Sequence, residues 1–214
     1  MQTGKIFLIR HGQTTGNGHH YVGQEDLPLN PIGQQQAMAI AKVLQDESIQ
    51  AIYCSALNRA IATIQPLAEQ KRLLLQTTGA LNEIDYGAYQ GRLKSELELK
   101  LRKDYRHRRL PGGESLYDVY LRVREFYQTM TQLLEMQQNL VIASHYWSIR
   151  MLFGILQNQA FDDIFSSGGY KPANGTIFEA SYQYNPLGHV AVLSSGYHFL
   201  SHTDNTQSNS EIIL

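Results

Sequence analysis

Cysteine is almost missing from this sequence, since Cys54 is the only one in 214 residues. A disulfide within the chain and a metal site built from cysteines alone are therefore excluded. Such sparing use of cysteine is typical of proteins in a reducing compartment. We expect a cytoplasmic location.

An excess of charge of one sign is also lacking, because 18 Lys and Arg residues nearly balance 19 Asp and Glu residues. This balance excludes a globally basic nucleic-acid binder and a strongly acidic protein. Long hydrophobic runs are few, and the first one, at residues 6–9, stops at Arg10. It is too short for a signal sequence or a membrane span. We expect neither nucleic acid nor a membrane as a partner.

Short apolar runs alternate along the chain with longer amphipathic segments. This alternation predicts strands joined by helical crossovers in a mostly parallel sheet. Strands are predicted at residues 6–9, 51–54, 73–75, 140–143, 176–182 and 190–193, the last two joined through residues 185–188. Helices are predicted at residues 31–44, 57–70, 115–136 and 147–156. The predicted fold class is α/β, a three-layer sandwich with a mostly parallel central sheet and helices on both faces.

Local signals mark the helix ends and the extent of the domain. Asn30 and Ser115 are predicted N-caps, whereas Pro66 is predicted to kink its helix or end it early. We expect a single domain over residues 1–200 and a flexible tail over residues 201–214. The sequence makes no prediction of the oligomeric state.

Polar residues of related chemistry follow three of the predicted strands. Arg10 and His11 follow the first, Arg59 lies beyond the second, and His145 follows the strand at 140–143. The carboxyl ends of parallel strands converge on one crevice, so these side chains are expected to meet. Two guanidinium groups in one pocket need an anion between them, and their planar forks suit phosphate. A histidine beside them should stay neutral, which is the form that attacks phosphorus.

Phosphoryl transfer also needs a proton for the leaving oxygen, and a carboxyl group can supply it. Glu83 and Asp85 are the candidates, just after a predicted strand. At strand-like spacing both can face the same side of the sheet. The residue types alone do not choose between them.

The segment Arg10-His11-Gly12-Gln13-Thr14-x-x-Asn17 resembles the signature of the histidine phosphatase superfamily, also called the phosphoglycerate mutase-like family. The resemblance continues in order through most of residues 5–150. It includes Gly23, residues 26–30, Gly33, Gln36-Ala37, Ser55-x-Leu57-x-Arg59-Ala60, Glu83 with Gly87 and Gly91, residues 111–115 and Ser144-His145. It implies a phosphoglycerate mutase-like fold.

The resemblance also implies roles for individual residues. His11 would be the nucleophile that becomes phosphohistidine. Glu83, rather than Asp85, would protonate the leaving group and then activate the hydrolytic water. The phosphoryl oxygens would be held by Arg10, Arg59, His145 and Asn17. No metal ion and no other cofactor is implied.

Further contacts with the substrate are predicted for Gly23, Gln24, Tyr86 and Tyr146. The bulky pair Tyr146-Trp147 departs from the family, which usually has glycine or another small residue after the second histidine. We expect these rings to narrow the pocket while their backbone N–H groups still reach phosphate. Residues 92–114 correspond to a family insertion that lies over the active site.

Three other features suggest competing sites. His19 and His20 are adjacent in a Gly-rich loop, a spacing that does not favour one metal ion. Residues 100–109 are strongly basic and are either a solvated helix face or an attractor for an anionic substrate. Cys54 and Arg59 have one residue too few between them, and no glycines, for the phosphate loop of a cysteine-dependent phosphatase.

The predicted activity is metal-independent hydrolysis of a phosphate monoester on a small phosphorylated metabolite. The alternative is a mutase that returns the phosphoryl group to a bound sugar-acid phosphate. The short segment between Gly91 and Pro111 favours hydrolysis, because mutases usually carry a longer insertion there. A catalytically silent phosphate-binding module is a third reading, but it should have lost one of the five central residues, and none is replaced.

Overall fold

A computed structural model describes residues 3–165, 171–184 and 190–198. Six strands form one sheet in the order β3-β2-β4-β1-β5-β6. The strands are β1 (Gly4–Arg10), β2 (Ala51–Ser55), β3 (Leu75–Thr78), β4 (Leu140–Ser144), β5 (Ile177–Tyr184) and β6 (Val190–His198). The first four are mutually parallel, whereas β5 runs antiparallel to both β1 and β6.

Six α-helices in the described part of the chain accompany the sheet. They are α1 (Pro31–Val43), α2 (Asn58–Lys71), α3 (Leu101–Asp104), α4 (Leu116–Thr129), α5 (Thr131–Glu135) and α6 (Tyr146–Leu156). The sheet with its helices has the predicted α/β class. The predicted connection at 185–188 and the tail at 201–214 lie outside the described residues.

The sheet separates two hydrophobic cores, because successive side chains of a strand point to opposite faces. Ile6 and Leu8 of β1 pack into the core that contains buried residues of α4 and α6. Phe7 and Ile9 pack into the opposite core, with buried residues of α1 and α2. The continuous apolar run of β1 therefore reflects burial on both faces, as parallel strands require.

Both predicted N-caps are confirmed. Asn30 Oδ1 accepts a hydrogen bond from Gly33 N at 2.9 Å, and Pro31 occupies the first turn of α1. Ser115 and Asp118 form a reciprocal capping box at the start of α4. These caps satisfy backbone N–H groups that have no partner within the helix.

Helix α2 runs to Lys71, within one residue of its predicted end, and does not end early at Pro66. Two other predicted boundaries are wrong. Strand β3 lies at Leu75–Thr78 rather than at 73–75, and Leu74 is 89% exposed. The helix predicted over 115–136 ends at Thr129, and α5 follows as a separate short helix.

Candidate active site

The predicted crevice lies where β1 and β4 end. Arg10 pairs with Ser144 in the parallel register, and His11 N donates to Ser144 O at 2.9 Å. The imidazole rings of His11 and His145 lie 4.9 Å apart between centroids. Two residues separated widely in sequence thus meet because their strands are hydrogen-bonded neighbours.

His11 presents one defined ring nitrogen to the crevice. The side chain is only 3% exposed, and its Nδ1 lies 2.7 Å from Gly12 O. A carbonyl oxygen only accepts, so Nδ1 carries the proton and Nε2 keeps its lone pair. Burial first, and then the charges of Arg10 and Arg59, hold the pKa of His11 well below its usual value. Neutral imidazole with a free Nε2 is the form suited to nucleophilic attack.

The loop that carries His11 is fixed from two sides. Gly12 N donates to Thr63 Oγ1 at 2.8 Å, and Thr63 Oγ1 donates to Arg59 O at 2.6 Å. A Cβ atom at Gly12 would lie 2.7 Å from Gly33 O of α1. Glycine is therefore required at this position by a close approach of two backbones.

Arg59 is a buried cation at the start of α2, with only 1% of its surface exposed. Its two terminal nitrogens donate to Glu25 O and Gly23 O, each at 2.6 Å. These bonds aim the guanidinium group from the side of the 23–25 turn. Gly23, predicted to contact substrate, lines the cavity and also orients Arg59 through its carbonyl.

Arg10 approaches the same cavity from β1. Its Nη1 donates to Pro172 O at 2.8 Å, and its guanidinium carbon lies 5.5 Å from the centre of the Tyr146 ring. The Tyr146 ring thus lies beside the Arg10 guanidinium group and lines the cavity, and its contact with the substrate stays a prediction.

His145 is fully buried behind His11. Its Nε2 lies 2.7 Å from Ser55 Oγ. The Ser55 hydroxyl donates its own hydrogen bond to Asn82 Oδ1 at 2.8 Å. The serine must therefore accept, so His145 carries its proton on Nε2. Burial, followed by the neighbouring His11 and arginine charges, also holds the pKa of His145 well below its usual value.

These two histidines predict that the protein loses stability in mild acid. The unfolded chain gains protons near pH 6.5, whereas the folded chain does not, so the free energy of unfolding falls as the pH drops below about 6.5. The slope reaches at most about 1.4 kcal/mol per pH unit for each histidine. Urea unfolding between about pH 6.5 and 5, without phosphate, measures it.

The variant His11→Asn is the control for this pH dependence. It removes one of the two buried imidazoles and should lose roughly half of the slope. An unchanged slope in the variant would assign the effect to other groups.

Glu83, rather than Asp85, is the carboxylate that faces the cavity. Glu83 lines it and is 8% exposed, and its Oε1 accepts hydrogen bonds from Ile84 N and Trp147 N, each at 3.0 Å. Asp85 instead caps the following turn, where its Oδ1 accepts from Gly87 N at 2.8 Å. The alternative that the residue types left open is therefore decided by the backbone path.

One expectation for the start of α6 is wrong. The N–H of Trp147, expected to reach phosphate, is occupied by the Glu83 carboxylate. The bulky pair Tyr146-Trp147 does line the cavity, with the two rings in edge contact at 5.1 Å. The N-terminus of α6 thus anchors a carboxylate, as helix dipoles favour.

Of the remaining residues predicted to contact the substrate, two line the cavity and one does not. Asn17 and Tyr86 line the cavity, and the Asn17 Oδ1 accepts from Thr14 N and Thr14 Oγ1, which leaves its amide nitrogen to donate. Gln24, in contrast, donates from Nε2 to Glu83 O at 3.1 Å and supports the backbone of Glu83. Gln24 is not among the residues that line this cavity, and its contact with the substrate stays a prediction.

The cavity has a volume of about 430 Å³, and residues that were not singled out as substrate contacts also line it. Among them are His20, Lys94, Leu101 and Asn174. Asn174 Nδ2 donates to His11 O at 3.0 Å. No sequence signal pointed to Asn174, because its position depends on the return of the chain before β5. Lys94 and Leu101 bring the 92–114 segment to the cavity.

The structure also describes the three features that suggested competing sites. In the ranges 3–165, 171–184 and 190–198, no three His, Cys, Asp or Glu side chains form a group that could hold a metal ion. Cys54 is buried, and burial raises the pKa of its thiol to about 12, which favours the thiol over the nucleophilic thiolate. Two residues of the basic run form ion pairs within the protein, Arg106 with Asp162 and Arg109 with Asp118.

No helix in the described part of the chain is long and apolar enough to cross a membrane.

Known proteins are similar to this chain in sequence and in fold. A family model for the histidine phosphatase superfamily (branch 1) matches residues 6–186. Phosphoserine phosphatase 1 of Hydrogenobacter thermophilus is 31% identical over 172 residues, which cover 77% of this chain and 81% of that protein. A 2,3-bisphosphoglycerate-dependent phosphoglycerate mutase of Allorhizobium ampelinum is 33% identical over 180 residues, with 77% and 84% covered.

A solved structure is similar over nearly the whole fold. The mycobacterial glucosyl-3-phosphoglycerate phosphatase superposes with a TM-score of 0.76 at 25% identity, covering 90% of this chain and 98% of that chain. The sheet, the buried histidine pair and the matched residues lead to one assignment. The chain belongs to the histidine phosphatase superfamily and is an enzyme of phosphoryl transfer.

Proposed function

We propose that this protein is a metal-independent phosphatase that hydrolyses a phosphate monoester through a phosphohistidine on His11. The observation that carries the proposal is the state of His11: neutral, with Nδ1 held by Gly12 O, in a cavity that also contains Arg10 and Arg59. The two cations bind the phosphoryl dianion and orient phosphorus towards Nε2.

The reaction follows in two balanced steps. In the first, His11 Nε2 attacks phosphorus, the bond to the ester oxygen breaks, and Glu83 gives that oxygen its proton. In the second, Glu83 takes a proton from a water molecule, the water oxygen attacks the phosphorus, and the bond to Nε2 breaks. Inorganic phosphate leaves, and His11 and Glu83 return to their starting states.

The phosphoryl oxygens are assigned to four side chains around the cavity. Arg10 and Arg59 supply charge-assisted hydrogen bonds, and Asn17 supplies its amide N–H. His145, which already donates from Nε2 to Ser55, needs a second proton on Nδ1 before it can donate to the phosphoryl group. A bound dianion beside it favours that second proton.

A mutase is the second candidate, because the mutase of Allorhizobium ampelinum is as similar as the phosphatase. Both reactions share the phosphoenzyme, and they differ in whether water or a bound alcohol accepts the phosphoryl group. Segment 92–114 holds only the one-turn helix α3 near the cavity. We expect this short segment to exclude water less completely than the longer insertion usual in mutases, which supports hydrolysis.

The test is a hydrolysis screen of small phosphorylated metabolites, in excess chelator and ranked by kcat/KM. Phosphoserine and phosphorylated sugar acids come first, because relatives are named for them. We expect release of inorganic phosphate that chelator does not change. Interconversion of 3- and 2-phosphoglycerate faster than phosphate release would establish the mutase instead.

A further inference from the structure

A partly buried ion pair lies directly behind the loop that carries Glu83. Arg122 of α4 and Glu114 just before that helix form a two-pronged contact, with Nε to Oε1 at 2.8 Å and Nη2 to Oε2 at 3.1 Å. Their side chains are 18% and 22% exposed. Neither residue lines the cavity around His11. The pair therefore acts, if it acts in catalysis, through the loop.

The pair holds the loop at both ends of Glu83. Arg122 donates from Nη1 to Ala80 O at 2.8 Å and from Nη2 to Glu83 O at 3.1 Å. Glu114 accepts from Asp85 N at 2.9 Å through Oε2, and its own backbone N donates to Asp85 O at 3.0 Å. A planar guanidinium can make these contacts and the carboxylate contact at once, which an ammonium group cannot.

The carbonyl groups between these points are held as well. Ser144 Oγ donates to Leu81 O at 2.6 Å, and Ser148 Oγ donates to Asn82 O. Arg122 Nη1 also lies 3.4 Å from Ser148 Oγ. The whole segment from Ala80 to Asp85 is thus bound to β4, α4 and α6 through its backbone.

The backbone path decides where the Glu83 carboxylate lies. Its Oε1 is bound to the N–H of the next residue, Ile84, and to the N–H of Trp147 on α6. A displacement of the 83–84 peptide would therefore move the carboxylate relative to the leaving oxygen. Misplacement of a reacting group by about 1 Å can cost about 100-fold in rate.

We propose that Arg122 and Glu114 form a positioning pair that sets the presentation of Glu83 to the leaving oxygen. The proposal rests on the proposed function, in which Glu83 is the proton donor. It assigns catalytic importance to two residues that touch neither the substrate nor the reacting atoms.

The test compares two esters that differ in their need for a proton. An alkyl phosphate such as glycerol phosphate leaves as a strongly basic alkoxide and needs the proton of Glu83. An ester with a weakly basic leaving oxygen, 2,4-dinitrophenyl phosphate, does not. The variant Arg122→Gln should lower kcat/KM for the alkyl ester by about 10- to 100-fold and for the aryl ester by less than about 3-fold, since a general acid contributes about 10²- to 10⁴-fold in all.

Three further variants calibrate this result. Glu83→Gln gives the full loss of the proton donor, and Glu114→Gln should fall between it and the wild type with the same preference for the aryl ester. Arg124→Gln, on the exposed side of α4, is the matched control and should leave both esters unchanged. The ratio between esters is the readout, because Arg122 also adds to the low pKa of His145 and that effect is common to both.

The proposal is overturned if Arg122→Gln and Glu114→Gln both lose equal activity towards the two esters, or if both keep the wild-type ratio of kcat/KM between the esters. In either case the pair has a merely structural role. If Arg122→Gln does not fold, Glu114→Gln decides.

Hydrogen exchange separates this proposal from the proposed function. If the wild type hydrolyses neither ester, the proposed function fails, and exchange of the Ile84, Asp85 and Trp147 amides tests positioning alone. If these amides exchange faster in Arg122→Gln than in Arg124→Gln, the positioning pair is supported. Equal exchange in the two variants contradicts it.

Discussion

Replacement of His11 by asparagine should reduce the hydrolysis of an aryl phosphate by at least about 10⁴-fold. The variant keeps a polar side chain of similar width but lacks the Nε2 lone pair on which the phosphoenzyme forms. Loss of a nucleophile removes the whole covalent route, so the remaining rate comes from binding and electrostatic effects. Steady-state release of the aryl alcohol measures this loss.

Detection of the phosphoenzyme provides a second measurement on the same variant. A rapid quench with a labelled substrate should yield an acid-labile, alkali-stable adduct in the wild type and none in His11→Asn. His19→Asn, in an exposed part of the neighbouring loop, is the matched control and should behave as the wild type. An undiminished rate in His11→Asn would rule out His11 as the nucleophile.

Replacement of Arg59 by lysine should lower kcat/KM by roughly 10²- to 10⁴-fold and weaken the binding of inorganic phosphate. Lysine keeps the charge, but one ammonium group cannot donate to Gly23 O, to Glu25 O and to a phosphoryl oxygen in the fixed planar geometry of Arg59. Each charge-assisted hydrogen bond contributes about 1.5 to 3 kcal/mol, and about two are lost or misdirected.

The matched control for Arg59→Lys lies at the other end of the same helix. Arg72 follows α2 and is exposed, so Arg72→Lys should change neither activity nor phosphate affinity. Phosphate affinity is measured by titration calorimetry beside the kinetics. Unchanged affinity in Arg59→Lys would remove Arg59 from the phosphate clamp.

Local chemistry explains why much of the fold could be predicted. The strand at β1 and the caps of α1 and α4 depend on neighbours within a few residues, which the sequence displays directly. The convergence of Arg10, His11 and His145 needed only one further rule, that parallel strands end at one edge of a sheet.

The errors come from contacts that local sequence does not display. A proline inside a helix costs about 3 kcal/mol. Helix α2 nevertheless continues past Pro66, because Ile64 before it and Leu67 and Ala68 after it are buried in the core shared with the sheet and α1. The helix after α4 is separate because the Thr129 and Thr131 hydroxyls bond Phe126 O and Gln128 O and compete with helical hydrogen bonds. Strand β3 is set by its register with β2 and not by its own apolar run.

The sequence by itself determined that Arg10 and His11 follow one strand and His145 another, and it supplied a second arginine and a carboxylate, and so the class of chemistry. Only the tertiary structure decided that Glu83 faces the cavity, that Gln24 supports a backbone and that Asn174 joins the site. The physical reason is the distance along the chain over which each kind of interaction acts. Residue types and local propensity fix which groups are available, whereas their direction depends on hydrogen bonds such as Arg122 to Glu83 O that join residues far apart in the chain.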